Sequence, residues 1–436
     1  MNFAATISLS SKYLVRYKRR YLFLFFALAF GICIVTVITS LKAGMAENVY
    51  FSAQEHYTGD LILTGYIGSR PAYTERRMDV RSKAAVFEAV HESKIPVTRY
   101  AERTLYNDDA TVFFNGESVP LRYLNGVDWE NERPYFDNLS YVDGETRALD
   151  DNSILLSERV AQSLGIKCGD NLLLELMNSN KQKDTRNFVV GRIFRDNTLF
   201  GFYKAFISRR TMNGLLGFEQ DDCSSIGLFL INRANIDKYQ KELHETLSVK
   251  TLTAPLLMNE EELDRAHADL WVGIKIFIVP IAINLSDINQ ILDALNILTL
   301  FLYIMMLIII LVSASVTYRL ILHERTKEIG TMRAIGFYEQ SVRNILISET
   351  FLLGTISIII GFCLSLLLLQ LASLLSFSWF PSFDIFLKDG HLTAQWTATE
   401  LARNSIAIYI VLFIAVWFPT FHVSKAPLPG LLSGSN

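Results

Sequence analysis

The chain has 436 residues, of which 50% are hydrophobic, and its mean hydropathy is +0.26. This composition is too apolar for an ordinary soluble protein and too polar for a bundle made only of membrane spans. The formal net charge of −3 gives no reason to expect nucleic-acid binding. We therefore expect a membrane protein that carries one sizeable water-soluble domain.

A basic stretch, SLSSKYLVRYKRR, lies within residues 1–20 and precedes the first apolar run at residues 21–41. That run has the length of about 20 residues that a bilayer requires. It is longer than the apolar core of a usual signal peptide, and no small-x-small cleavage site follows it cleanly. We interpret it as a retained membrane anchor whose basic flank is cytoplasmic.

Residues 46–293 form the predicted soluble domain and carry a net charge of −10. Strands and short helices alternate there: GDLILTGYI and VTRYAERTLY read as strands, and RSKAAVFEAVHES as a helix. In SILLSERVAQSLGIKCGD a strand leads to Ser157 as a helix N-cap, a helix follows over Glu158–Leu164, and Gly165 ends it. NFVVGRIF and SSIGLFLI predict further strands. The pattern indicates an α+β domain with a strand-rich subdomain inserted in its middle.

A fifth apolar stretch, WVGIKIFIVPIAI from Trp271, is too short to span a bilayer and contains Pro280. We interpret it as a buried strand of the soluble domain.

The soluble domain offers little catalytic chemistry. The sequence has no GxxxxGK[ST] phosphate loop, and HESKI and HETLS lack the second histidine of a zinc motif. The acidic run around Glu260–Asp264 (Glu260, Glu261, Glu262 and Asp264) reads as a solvated helix face. We interpret Cys168 and Cys223 as two free thiols, and a disulfide between them outside the cytosol is the alternative. A membrane enzyme is therefore poorly supported.

Three further apolar runs are long enough to cross a bilayer. They cover residues 295–322, 351–375 and 405–423. Together with the first run, they predict a membrane protein with four transmembrane α-helices and a large α+β extracytoplasmic domain between spans one and two.

The distribution of basic residues predicts the orientation of the spans. Lysine and arginine are concentrated in residues 16–20 and recur in the segment 323–350, so both lie on the predicted cytoplasmic side. The acidic domain at 46–293 and the loop at 376–403 then lie outside the cytoplasm. The tail at 424–436 returns to the cytoplasm.

The stretch ERTKEIGTMRAIGF, from Glu324 to Phe337, lies between two spans on that cytoplasmic side. Drawn as a helix, it places an apolar stripe on one face: Ile329, Met332 and Ile335. Arg325 and Glu328 have the spacing of an i,i+3 ion pair. Gly330 costs about 1 kcal/mol relative to alanine within a helix, which favours close approach of another surface, and Gly336 suits a helix end. The physics of these residues leaves two interpretations open, an amphipathic loop on the membrane surface and a helix that docks into a cytoplasmic partner.

HERTKEIGTMRAIGF resembles the signature after the second span of the FtsX/MacB-type permeases, Glu-Arg-x-x-Glu-Ile-Gly-x-x-Arg-Ala-x-Gly. The positions that match are Glu324, Arg325, Glu328, Ile329, Gly330, Arg333, Ala334 and Gly336. The layout of one span, a large outside domain and three more spans is also similar to this family. So are ILLSERVAQSLGIKCGDNLLLEL, the tail VSKAPLPGLLSG, and the basic start, which resembles the family's helix along the inner membrane surface.

The resemblance implies the permease subunit of an ABC-type machine in the bacterial inner membrane, with both termini cytoplasmic. Such a subunit works as a homodimer, or as a heterodimer with a paralogous permease, beside a separate ABC ATPase. This chain would bind no cofactor itself, because ATP and magnesium act through the ATPase. The segment 323–350 would receive the push of the ATPase and pass it through the spans to the outside domain.

The resemblance also implies roles within a predicted ATPase-coupling helix. Glu324, Arg325 and Glu328 would make charged contacts with the ATPase, and Gly330 would allow its close approach. The apolar stripe would either fill a cleft of the ATPase or anchor the segment to the neighbouring spans. The predicted site comprises Glu324, Arg325, Glu328, Ile329, Gly330, Met332, Arg333, Ala334 and Gly336.

Permeases of this family release lipoproteins, export substrates from the periplasm, or activate cell-wall hydrolases without transport. An outside domain of this size argues against the cell-division type. We lean towards lipoprotein release, with membrane lipids and a lipoprotein or periplasmic carrier as further partners. The aromatic stretch SFSWFPSFDIF in the loop 376–403 fits an interfacial belt or part of a gate for a lipid substrate. A non-transporting regulator, sensor or scaffold is the alternative function.

Overall fold

The computed structural model describes residues 18–68, 74–106, 108–195, 203–377, 386–388 and 390–425, with residues 10, 12, 14 and 16. The chain divides into two compact units. The helical unit comprises the described residues within 1–47, 292–379 and 386–436, and the sheet unit comprises those within 48–291.

The helices are numbered in chain order. They are α1 Lys18–Tyr57, α2 Val80–Glu92, α3 Arg133–Asp137, α4 Glu158–Leu164, α5 Arg209–Leu216, α6 Ile236–Lys250, α7 Glu260–Ala268, α8 Ile281–Asn284, α9 Ser286–Glu324, α10 Thr326–Ala334, α11 Glu339–Leu374 and α12 Ala398–Lys425. The strands are β1 Leu61–Gly68, β2 Thr74–Arg76, β3 Val97–Tyr106, β4 Ala110–Phe114, β5 Glu117–Leu121, β6 Tyr123–Val127, β7 Tyr141–Asp143, β8 Ser153–Ser157, β9 Asn171–Met177, β10 Lys183–Phe194, β11 Lys204–Ser208, β12 Ser225–Leu230 and β13 Gly273–Pro280.

Among the described residues, four helices are long and apolar enough to cross a membrane. They are α1, α9, α11 and α12, and each matches one of the four predicted spans, although α11 ends one residue before the end predicted at 375. The first helix is much longer than the predicted run at 21–41, since α1 continues to Tyr57. It ends where Thr58 and then Gly59 adopt positive φ angles of 73° and 109°. The amphipathic segment after residue 41 therefore extends the first helix instead of forming a separate element.

The core of the helical unit is made of aliphatic side chains from its four long helices. Leu24, Leu28 and Ile32 of α1 pack with Ile310 of α9, Leu353 of α11 and Leu412 of α12. A close backbone approach lies at Gly361, where an added Cβ would stand 2.5 Å from the carbonyl oxygen of Ala29. Glycine at this position lets α1 and α11 pack in direct contact.

The sheet unit contains strands in the order β13-β1-β12-β3-β6-β11-β8-β10-β9-β4-β5, with β2 paired to β1 and β7 to β10. Strand β3 divides it, because Val97–Arg103 pairs with β12 and Thr104–Tyr106 pairs with β6. Two separate hydrophobic cores follow this division. The part between β3 and β12 is an insert rich in strands, which is the α+β arrangement expected from the sequence pattern.

Several local predictions agree with the structure. Helix α4 has the predicted bounds, and Gly165 ends it with a φ of 65°. The predicted N-cap Ser157 makes no side-chain capping hydrogen bond. Strand β13 is buried along most of its length and pairs with β1, and Pro280 stands at its end, where no further ladder bond is needed. Helix α7 carries the acidic run on its exposed first turn, and Asn259 caps that turn by accepting a hydrogen bond from the backbone N–H of Glu262.

Parts of three predictions fall outside the described residues. The basic start is described at four alternate positions, where Ser10 is buried, Leu14 is half-buried and Lys12 and Arg16 are exposed. Most of the aromatic loop stretch SFSWFPSFDIF and the tail after residue 425 lie outside them.

Candidate coupling site

The predicted coupling segment forms the short helix α10 between the long helices α9 and α11. The chain turns at Arg325, whose φ of −95° and ψ of 7° break the continuity between α9 and α10. At the other end Gly336 has a φ of 104°, and the backbone N–H of Phe337 donates to the carbonyl of Met332 at 3.1 Å. This left-handed glycine is the helix stop that the sequence predicted.

One face of α10 packs against the neighbouring long helices. Ile329 is 1% exposed and belongs to an apolar cluster that draws on α9, α11 and α12, and Met332 packs against the same cluster. The other members are Tyr318, Leu322, Val342, Leu346 and Val416. Of the two roles expected for the apolar stripe, the structure gives Ile329 and Met332 the anchoring role.

The glycine expected to admit a partner also belongs to this inner face. Gly330 is buried within the helical unit. Its position is covered by the chain's own residues, and the role of admitting the ATPase stays a prediction.

Arg325 is the largest departure from the sequence expectation, because its side chain is fully buried. Its Nη1 stands 2.5 Å from the Oε2 of Glu349 in α11, and its Nε donates to the Oε2 of Glu328 at 3.2 Å. The hydroxyl of Tyr21 in α1 donates to the same Glu349 oxygen at 2.7 Å and accepts from Nη1 of Arg325 at 3.1 Å. A side chain in this position cannot touch a docked ATPase, so the predicted direct contact of Arg325 was wrong. The guanidinium instead links three helices of the helical unit.

The other face of α10 and the turn after it are exposed. Glu324, Lys327, Thr331, Ala334 and Gly336 all reach the surface. Two large side chains also stand out from it, since Ile335 is 76% and Tyr338 is 82% exposed. An exposed aliphatic and aromatic pair beside polar groups is the composition of a protein-binding surface. Lys327, Ile335 and Tyr338 thus join this face, although none of them was in the predicted site.

Two charged residues of the predicted site lie between these faces. The side chain of Glu328 is 35% exposed and pairs with Arg325 as the i,i+3 spacing predicted. The side chain of Arg333 is 15% exposed, and its Nη2 donates to Glu339 at 3.0 Å across the turn. Arg333 therefore closes the turn between α10 and α11.

Sequence reasoning missed Glu349 and Tyr21. Glu349 is an acidic residue two positions before the apolar run predicted to begin at residue 351. An ionisable residue at the edge of a span is a signal of function that could have drawn attention to it.

The sheet unit holds the last turns of α1 through buried polar contacts. The Nε2 of Gln54 and the backbone N–H of Leu230 donate to Asp60 Oδ2 at 2.8 and 2.7 Å. Arg103 donates to the backbone carbonyl of Glu55 at 2.8 Å and forms a fully buried ion pair with Glu132. Burial alone would lower the pKa of Arg103. The adjacent Glu132 carboxylate has the larger effect and raises that pKa. The end of α1 is thus fixed within the sheet unit by groups with specific directions.

The titratable groups elsewhere in the sheet unit do not form a catalytic set in the described part of the chain. Cys168 and Cys223 are free thiols, and burial raises their pKa values to about 11 and about 12. Thiols of such high pKa are protonated at neutral pH and are weak nucleophiles. No group of three or more His, Cys, Asp and Glu side chains among the described residues could hold a metal ion.

His267 lines an open cleft of about 990 Å³ in the sheet unit. Its ring stacks on Phe277 with 4.6 Å between ring centroids. Burial lowers the pKa of His267, the nearby cations Arg76 and Lys275 lower it further, and Asp264 opposes them. The neutral form of the imidazole is therefore the one that the folded unit favours.

Comparisons with known proteins agree with the pattern around α10. Residues 299–428 match the family described as FtsX-like permease C-terminal. A comparison with curated proteins gave no match.

Two solved structures are similar to about half of the chain. One is the periplasmic region of MacB from Actinobacillus actinomycetemcomitans, with 12% identity and a TM-score of 0.31, covering 55% of this chain and 95% of that one. The other is a domain of a protein described as a permease from Porphyromonas gingivalis, with 14% identity and a TM-score of 0.28, covering 52% of this chain and 90% of that one. The family match includes α10, α11, α12 and most of α9.

Proposed function

We propose that this chain is the permease subunit of an ABC-type machine and that a separate ATPase docks on the exposed face of α10. The observation that carries the proposal is the division of α10 into two faces. Its inner face packs on three long helices, and its outer face presents Lys327, Thr331, Ile335 and Tyr338. A helix that is anchored on one side and available on the other suits the transfer of force from a docked protein to the spans.

Motion of α10 would reach the spans through packed side chains. Ile329 contacts side chains of α9, α11 and α12 in one cluster, so a displacement of α10 displaces all three. Packed interiors transmit such shifts because they are dense and compress little. The buried polar contacts of Gln54 and Glu55 then hold the far end of α1 to the sheet unit.

We propose the bacterial inner membrane as the location, with both termini and α10 on the cytoplasmic side. Basic residues before α1 and within residues 323–350 support this orientation, as does the acidic balance of residues 46–293. In this arrangement the sheet unit lies outside the cytoplasm. ATP and magnesium act through the ATPase, and the permease works as a homodimer or beside a paralogous permease.

For the work done outside, we propose release of a lipoprotein, with transfer to a carrier, ahead of export of a periplasmic or lipophilic substrate. The support for this order is the size of the sheet unit, whose described residues lie within 48–291. Mechanical transmission to a hydrolase or sensor is the other outcome that the following experiment can reveal.

The proposal is tested by purifying the full chain from its native membrane in mild detergent and measuring whether an ABC ATPase is recovered with it. We expect stoichiometric co-purification, and its loss in Ala334→Trp, because a large side chain is added to the exposed face of α10. The matched control is Ala398→Trp, which adds the same side chain at an exposed alanine of α12. Equal recovery of ATPase with both variants would contradict docking at α10. Co-purification of a lipoprotein or carrier would support lipoprotein release. Co-purification of a hydrolase or sensor would support the regulatory role.

A further inference from the structure

Three polar side chains from separate segments meet in the interior of the helical unit. Tyr21 of α1, Arg325 before α10 and Glu349 of α11 are each at most 1% exposed. Tyr21 belongs to one apolar cluster with Leu24 and Leu28, and a second apolar cluster contains Ile329 and Leu346, which lie within one helical turn of Arg325 and Glu349 in the chain.

Hydrogen bonds join each of these three groups to the other two. Glu349 Oε2 accepts from both Arg325 and Tyr21, and Glu349 Oε1 lies 3.4 Å from Arg325 Nη2. Arg325 also donates through Nε to Glu328, the first acidic residue of α10. The start of α10 is thus tied directly to α1 and α11.

Stability alone does not require such a group. Taking two charges out of water costs several kcal/mol, and apolar residues of similar volume often replace a buried ion pair without loss of stability. Apolar packing is not directional. The hydrophobic effect depends on buried area, so two apolar helix faces can slide past each other. A charge-assisted hydrogen bond fixes both distance and angle.

We propose that Tyr21, Arg325 and Glu349 form a latch that makes α10, the cytoplasmic end of α1 and the start of α11 move as one body. This inference rests on the proposed function for the source of the push. In this arrangement the arginine of the coupling signature is a positioning residue that delivers motion to the first helix. The first helix matters because its other end is held in the sheet unit.

The test compares the full chain with the double variant Arg325→Met/Glu349→Leu, which removes both charges together and avoids an uncompensated buried ion. Spin labels are attached at Thr331 of α10 and Phe23 of α1, both exposed, after replacement of the four native cysteines. Their distance distribution is measured in lipid nanodiscs, first alone and then with the ATPase and a non-hydrolysable ATP analogue. Arg319→Met, which removes an exposed positive charge from α9, is the matched control.

We expect a single narrow distance with and without ATPase in the wild type and in Arg319→Met. In the double variant we expect a broader distribution already in the free chain, and a still broader one once ATPase and nucleotide are added, although the protein remains folded and binds ATPase. A distribution as narrow as that of the wild type would overturn the latch and leave the apolar cluster as the connection.

The two proposals fail in different ways. If the ATPase does not bind the wild type, the proposed function fails, and the latch is then judged on the free chain. There a broadened distribution in the double variant alone supports the latch, and identical distributions overturn it. Tyr21→Phe, which loses only the hydroxyl, should broaden the distribution less than the double variant does.

Discussion

The exposed pair after α10 gives the most direct test of docking, because its contribution can be worked from its exposure. Ile335 is 76% exposed, and complete burial of an aliphatic side chain contributes about 1.5–3 kcal/mol. Burial of three quarters of it against an ATPase would contribute about 1–2 kcal/mol, and its loss in Ile335→Ala would weaken binding about 5- to 30-fold. Tyr338 is 82% exposed, and Tyr338→Ala should cost at least as much, because interface tyrosines are often energetic hot spots.

The assay is the equilibrium affinity of the purified ATPase for the full chain in nanodiscs. Val249→Ala is the matched control, because Val249 is 87% exposed in α6 of the sheet unit and loses a similar apolar area. All three variants should unfold at nearly the wild-type temperature, since exposed substitutions usually change stability by less than about 0.5 kcal/mol. If Ile335→Ala and Val249→Ala bind the ATPase equally well, the exposed pair is not part of the docking surface and the reasoning is refuted.

Three further predictions concern topology, the helix stop and pH. A cysteine at exposed Asn180 should react with an impermeant thiol reagent in intact spheroplasts, and one at Thr331 only after lysis; the reverse pattern would overturn the orientation. Gly336→Ala should destabilise the chain in thermal unfolding by about 1 kcal/mol, because an L-residue is strained at a φ of 104°, whereas Gly214→Ala within α5 should be neutral or stabilising. His267 has a lowered pKa, so the unfolded chain binds more protons and stability should fall as the pH drops below about 6.5. The melting temperature of His267→Gln should therefore fall less between pH 7.5 and 5.5 than that of the wild type. If both fall equally, the loss of stability at low pH comes from other titratable groups.

Much of the fold could be predicted because its signals are local. Apolar runs of sufficient length predicted the four long helices among the described residues. Both ends of helix α4 were predicted correctly, because a strand and a polar residue precede the helix and a glycine ends it. The extent of α1 was underestimated, because nothing in the segment after residue 41 is apolar enough to mark a span while its propensity still favours a helix. The order of the strands depends on pairings between distant residues, such as β1 with β12 and β13, and no local pattern specifies them.

The candidate site shows a different limit of sequence reasoning. A charged residue in a short polar segment between spans is expected at the surface, because burial of a charge is costly unless it is paired. Arg325 is buried because its partners come from α11 and α1, and Tyr21 lies 304 positions away in the chain. Pairing over such a distance leaves no spacing for sequence reasoning to detect.

The two faces of α10 explain why one signature contains both charged residues and glycines. Ile329 and Gly330 are buried within the chain, whereas Ala334 and Gly336 lie at the surface. A substitution within the signature can therefore disturb either the anchoring of α10 or its docking, and the loss of ATPase binding alone does not tell which. Gly330→Leu should fail by disrupting the inner packing, and its thermal stability should fall with its ATPase binding. Ala334→Trp should lose ATPase binding at unchanged stability, and measuring both quantities on both variants separates the anchor from the docking surface.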